Sequence, residues 1–305
     1  MHLFIDQIPE ADQHPNYRRI TGVHDLRAAL DVIQQWSEGF VDRDGKFVKE
    51  FQTTFNSSFW ELYLFACFKE LGFTCSFEHA SPDFYITRGG LSVCVEAGIA
   101  SNPEGYAPEW DRDIRKSPTT EKQVQELLDL TTLRLANTVS GKHRKYLSHY
   151  SALEHVKGRP FVLCVAPFDQ PYTFGQNDHA IRRVLYGYDQ PLWLDDPEEG
   201  IRIILGDSHI RSARKKSGAE VPFAYFTGPG MKEISAVLFS CTATFGKARA
   251  LAEPTEIPAH FTAVRFAENG TRAHCIEAVS GQYEESLLDG LHLCLNPFAS
   301  VPLDC

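Results

Sequence analysis

Residues 81–98 read SPDFYITRGGLSVCVEAG, and the alternation of side chains along them decides the fold. Pro82 fixes the entry to a strand on which Asp83, Tyr85 and Thr87 share one face while Phe84 and Ile86 take the other. In LSVCVEA, Val93 and Val95 point one way and Cys94, Glu96 and Gly98 the other. The Gly89-Gly90 pair reads as the turn between these two strands, and TCSFEH at 74–79 reads as an earlier strand joined through the Ser81-Pro82 turn.

Upstream, SFWELYLFACFKEL predicts a helix from Ser58 to Leu71, apolar on nearly every side, with Asn56, Ser57 and Ser58 as cap candidates and Gly72 as its stop. Residues 24–37 carry Leu26, Leu30, Ile33 and Trp36 at helical spacing. Downstream, the three prolines of 101–118 mark a loop. A helix follows from Thr119 or Thr120, with Leu127, Leu128, Leu130, Leu133 and Leu135 as its apolar face and its end near GKHRKY. RPFVLCVAPF at 159–168 is then a buried strand. Beyond it, HAIRRVLYG reads as a short helix, IRIILG and SAVLFSCTA as strands, and FTAVRFAENGTRAHCIEA as a hairpin turning at ENG. The fold class expected is α/β, a mixed central β-sheet flanked by helices. It divides as a helical segment over 1–50, a core over 51–168 and a C-terminal α/β extension over 169–305 packed on that core.

The 305 residues, 43% hydrophobic and 23% charged, are enough for a sizeable core without disulfides or structural metal. Thirty Lys and Arg against forty Asp and Glu give a net charge of -10, which excludes an unstructured polycationic nucleic-acid binder and leaves room only for a local basic groove. No two of the eight cysteines form a zinc-like CxxC pair, and Cys67, Cys94 and Cys164 lie inside apolar runs, which favours a reducing cytoplasm. The N-terminus has neither a basic nor an apolar leader region, and no apolar stretch approaches the ~20 residues of a membrane span.

Three acids stand out. Glu61 is the only charge in the eleven positions Ser58 to Phe68, and an ionised carboxylate there needs a partner, a proton or a cation. Asp83 opens one strand, a place more often taken by a turn residue, and Glu96 is the lone acid ending a buried strand. Together, a helix and two adjacent strands can bring three carboxylates to one point. Hard oxygen ligands of that kind suit Mg²⁺ or Mn²⁺, and phosphodiester hydrolysis is their natural chemistry.

The order helix, three strands, helix, strand, with Glu61, Pro82-Asp83 and Glu96, resembles the PD-(D/E)XK nuclease superfamily over roughly residues 55–168. It is also similar to a group of bacterial proteins of unassigned function that carry a WELYL helix, a PDF strand and a VEA strand. The resemblance implies a restriction-endonuclease-like core in which Asp83, Glu96 and Glu61 hold the metal. It further implies an endonuclease acting on nucleic acid, DNA ahead of RNA, in restriction, repair or phage defence. Where that pattern has its lysine, this chain has Gly98. Some members of the superfamily supply the cation from the following helix, and Lys142 and Lys145 are the candidates here. Lys142 is preferred because Ser140-Gly141-Lys142 resembles a Ser-x-Lys element of the unassigned group, with Lys122 and Gln123 as competitors at the helix start.

Other features are weaker. KHRK at 142–145 and RSARKK at 211–216 offer phosphate contacts, although such runs are more often solvated faces. His143, His149 and His155 read as loop residues and not as ligands, and the GPG of 228–230 lacks the pattern of a phosphate loop. Cys67 reads as an inert core thiol. Two other classes compete with the enzyme: a binding or scaffold protein that keeps the fold without catalysis, and an effector subunit that needs a protein partner. A homodimer is compatible with each.

Overall fold

The structure, a computed structural model, describes residues 1–103, 105–111, 117–196, 201–215, 218–252, 258, 260–266 and 273–303. In chain order it opens with helices α1 (Pro15–Gly22), α2 (Arg27–Trp36), α3 (Phe47–Thr53) and α4 (Phe55–Glu70), then strands β1 (Thr74–Ser76), β2 (Phe84–Arg88) and β3 (Leu91–Ile99). Next come α5 (Glu121–Ser148), β4 (Phe161–Ala166), α6 (His179–Tyr186), β5 (Tyr188–Asp196), β6 (Ile201–His209), β7 (Ser212–Arg214), β8 (Glu220–Pro222) and β9 (Ala236–Phe239). The chain closes with α7 (Phe245–Leu251), β10 (His260–Phe266), β11 (Ala273–Val279) and β12 (His292–Leu295). The expected order of helix, three strands, helix and strand is present as α4, β1, β2, β3, α5 and β4.

Two units share the chain: Met1–Leu71 with Ala243–Asp289, and Gly72–Thr242 with Gly290–Cys305. The sequence boundaries at 50/51 and 168/169 therefore fall inside units, because they followed the reach of a motif and not the packing of the chain.

The first unit is built on aromatic packing around α4. Phe51, Phe55 and Phe59 follow one another at 5.1 and 5.4 Å between ring centroids, and Trp36 of α2 meets both Phe59 and Tyr63 at 5.7 Å. α4 begins three residues before the expected Ser58, because Asn56 and the serines serve other bonds. Asn56 accepts from Asn16 at 2.9 Å, and Ser57 Oγ donates to Thr54 O. The ammonium of Lys247 on α7 is buried and donates to Ser286 O and Asp289 O at 3.2 and 2.8 Å and to Glu285. β10 and β11 pair antiparallel, as the hairpin reading expects, while its ENG turn lies outside the described residues.

The second unit carries a six-stranded mixed sheet in the order β1-β2-β3-β4-β9-β12. β1, β2 and β3 run antiparallel, β3, β4 and β9 parallel, and β12 antiparallel to β9. Arg88 pairs with Leu91 across a turn in which Gly89 and Gly90 take φ +56 and +86, the left-handed pair that a two-residue hairpin needs. β5 with β6 and β7 with β8 form separate two-stranded ribbons. Arg211, Arg214 and Lys215 of the 211–216 run are exposed beside the second ribbon, and Lys216 lies outside the described residues.

Leu128, Leu135, Ala136 and Val139 of α5 pack with Phe161, Leu163 and Val165 of β4 and with Val237 and Phe239 of β9. The buried stripe of α5 runs Leu128, Thr131, Thr132, Leu135, Ala136, Val139 and His143, so Leu127, Leu130 and Leu133 flank it and are only partly covered. Helical phase explains the correction: residues 127, 130 and 133 drift off the i, i+4, i+7 row that 128 begins. Ser140 and Gly141 lie within the helix, which runs through GKHRKY to Ser148, with Val139 and His143 buried on either side of them.

At its start, Thr120 caps α5: its hydroxyl accepts from Gln123 N at 3.3 Å and Gln123 Oε1 accepts from Thr120 N at 3.1 Å. Replacing Thr120 by Ala should cost about 1 kcal/mol of unfolding free energy in a denaturant titration, and Thr120→Ser should cost little.

Candidate functional site

On the α5 side of the sheet, β2 and β3 set two acids opposite each other. The register pairs Phe84 with Val95, so one step further along places Asp83 against Glu96 on the same face. Asp83 Oδ2 accepts from Ala97 N at 2.7 Å, which extends the strand pairing through a side chain. No described residue donates to its Oδ1. His155 Nε2 meets Ser81 O at 2.8 Å and its ring stacks on His79 at 3.6 Å, bracing the backbone just before Pro82.

Glu96 is 1% exposed and takes three donors. Oε1 accepts from Lys142 Nζ at 2.7 Å and Lys145 Nζ at 2.9 Å, and Oε2 accepts from Tyr150 OH at 2.8 Å. Lys142 Nζ donates to Ala97 O as well, at 2.6 Å. Lys145 holds its ammonium 4.9 Å from the Tyr150 ring centroid, and its side chain is 49% exposed against 25% for Lys142.

Gly98 is what admits Lys142. A Cβ at position 98 would lie 2.7 Å from Lys142 Cε and 3.4 Å from Nζ, so the lysine stem occupies the space into which a side chain there would project. Its amine therefore arrives beside Glu96 from the helix and not from the strand.

Burial and then the charge of Glu96 push the Asp83 carboxyl up to about 6, against the pull of the Ala97 N–H and the two lysines. For Glu96, burial alone would raise the carboxyl, but Lys142, Lys145 and Tyr150 outweigh it and hold it below the usual glutamate range. Burial opposes the charge on Lys145, yet Tyr150 and Glu96 leave its amine above the usual lysine value. The Tyr150 phenol is raised, first by burial.

Of the residues singled out from sequence, Asp83, Glu96, Lys142 and Lys145 come together in the second unit. Glu61 lies on α4 in the first unit. Among the described residues, no group of three or more His, Cys, Asp or Glu side chains is placed to hold a metal ion. Lys122 and Gln123 are about 30 Å of helix away from Lys142. The former is exposed beside Glu126 at 3.9 Å, and the latter belongs to the cap.

Two of the histidines are corrected: His143 is buried within α5 with Nε2 2.9 Å from Glu233 Oε2, and His149 caps the helix end, because α5 runs through GKHRKY to Ser148, whereas His155 lies in the turn that follows. Cys67 is fully buried, and burial raises its thiol to about 12, as suits a core residue. Sequence reasoning missed Tyr150, which sits in the turn after α5 at no motif spacing and stacks on Phe161 like an ordinary core aromatic.

No family model, curated protein or solved structure matches the chain. Among the described residues, no helix is long and apolar enough to cross a membrane.

Between the ordinary carboxyl value of 3.8 and about 6, the folded chain keeps a proton on Asp83 that the unfolded chain has lost. This group therefore lowers stability as the pH rises through that window, and the loss is complete above it. Asp83→Asn removes the titration while its side-chain carbonyl still accepts from Ala97 N. The variant should melt a few degrees above wild type at neutral pH, and the difference should vanish as the pH falls below the ordinary carboxylate range. A difference independent of pH would contradict this origin of the Asp83 shift.

Proposed function

We propose that this chain is a metal-dependent nuclease that hydrolyses phosphodiester bonds in nucleic acid, DNA ahead of RNA, on a restriction-endonuclease-like core. The observation that carries the reading is Lys142: its stem fills the space of a side chain at Gly98, and its amine lies 2.7 Å from Glu96. The acid-x-lysine triplet of the resembled superfamily is thereby replaced by an acid on β3 and an amine from α5.

Asp83 and Glu96 are the residues that would hold Mg²⁺ or Mn²⁺. Asp83 fits that role, since Oδ1 takes no donor from the described residues and the neighbouring negative charge of Glu96 favours a cation. When bound, such an ion supplies polarisation of the phosphodiester and acidification of water. Lys142 spends two of its three N–H bonds on Glu96 and Ala97 O, which leaves one for an attacking water or for charge developing on phosphate. Glu61 enters this reading through the resemblance alone.

A second reading is a binding or scaffold protein on the same fold. It is favoured by the saturation of Glu96, whose two oxygens already take three donors, and by the balance of two acids against two lysines.

The test incubates the full chain with supercoiled plasmid, single-stranded DNA and RNA, with and without Mn²⁺. Wild type should cleave at least one DNA substrate, Asp83→Ala should not, and Lys142→Ala should slow cleavage about 10²–10³-fold, the loss typical of one preorganised donor. The double variant Gly98→Lys, Lys142→Ala returns an amine from the strand side and should recover part of that rate. Variants that cleave like wild type would defeat the assignment. A wild type that cleaves nothing and gains no melting temperature from Mn²⁺ would overturn the metal-dependent reading and favour the scaffold, or an effector subunit that needs its partner.

A further inference from the structure

Glu96 Oε1 receives two ammonium groups, and the two are held very differently. Lys142 is fixed a second time by Ala97 O at 2.6 Å and its stem lies over Gly98. Among the described residues, Lys145 reaches no carboxylate but Glu96, at 2.9 Å, on a half-exposed side chain. Its ammonium already faces the ring of Tyr150, whose hydroxyl stays engaged by Glu96 Oε2 at 2.8 Å. An aromatic face is a second seat for a cation.

We infer that Lys145 is the resident cation of the site, which a divalent ion displaces from Glu96 Oε1, the released amine resting over Tyr150 and in solvent. The inference rests on the metal reading above and goes beyond it by naming the group that sets the affinity. A divalent ion added beside both lysines would bring four positive charges against the two negative charges of Asp83 and Glu96. Withdrawing the exposed lysine removes one of the two ammonium charges beside Oε1 and frees an acceptor lone pair. Lys142 cannot make the same movement without giving up Ala97 O.

Three consequences are measurable without any catalysis. In calorimetric titration of the full chain with Mn²⁺, Lys145→Met should bind roughly tenfold tighter than wild type, because the internal competitor is gone. Lys145→Arg keeps the competing charge and should bind as wild type does. Without metal, Lys145→Met should melt below wild type, since Glu96 has lost a partner, and saturating Mn²⁺ should close that gap.

Equal or weaker Mn²⁺ binding by Lys145→Met, with wild type binding normally, would overturn the exchange and leave the metal reading standing. Absence of binding in wild type and in Lys145→Met alike would overturn both. Binding that survives Asp83→Ala would locate the ion elsewhere and would likewise overturn both.

Discussion

A carboxylate buried to 1% exposure has to find donors, since an unpaired charge in that position costs several kcal/mol. Much of the second unit can be understood as the means by which Glu96 finds them. β3 carries it into the middle of the sheet, where little of its surface is open to solvent. α5 must then be long enough to bring amines over the strand, and its 28 residues do so with Thr138, Lys142 and Lys145 on one i, i+4, i+7 row. The strand in turn must be bare where the first amine crosses it, and that requirement falls on Gly98. The turn after the helix adds Tyr150 on the remaining oxygen.

The neighbouring acid has the opposite fate. Asp83 faces Glu96 across the strand pair, and burial together with the charge of Glu96 displaces its carboxyl upward against the pull of the Ala97 N–H and the two lysines, while that of Glu96 is displaced downward. Two carboxyls of the same chemistry are thus made unequal by the burial, charges and donors around each. Such divergence separates a group that holds its charge firmly from one that is ready to exchange a proton or accept a cation.

Much of this was legible in the sequence. The period-two alternation of PDFYITR and LSVCVEA admits one facing for each residue, and the double glycine between them admits one kind of turn, so strands, register face and acids could all be read. Lys142 was legible only as a choice among four candidates, because no local pattern records which helix residue passes over a glycine 44 positions earlier. Tyr150 was hidden for a related reason: its packing looks ordinary and its hydroxyl contact is long-range. The cap candidates Asn56 to Ser58, which lie inside α4, misled because the Asn56 side-chain carbonyl is spent on Asn16, a tertiary bond that local propensity does not record. The partition into units was equally hidden, since it depends on segments 243–289 returning to helices at the opposite end of the chain.

That interleaving bears on how the protein comes into being. The chain crosses between the units after Leu71, after Thr242 and after Asp289. On a ribosome, α1 to α4 emerge first but wait for α7 and the β10–β11 ribbon before their unit is complete. Five of the six sheet strands, together with both acids, both lysines and Tyr150, are all synthesised in that interval, within 72–242. The later segment thus finishes a structure begun before the site was made, while β12 adds the last edge of the sheet. No single cut in the gene releases either unit whole.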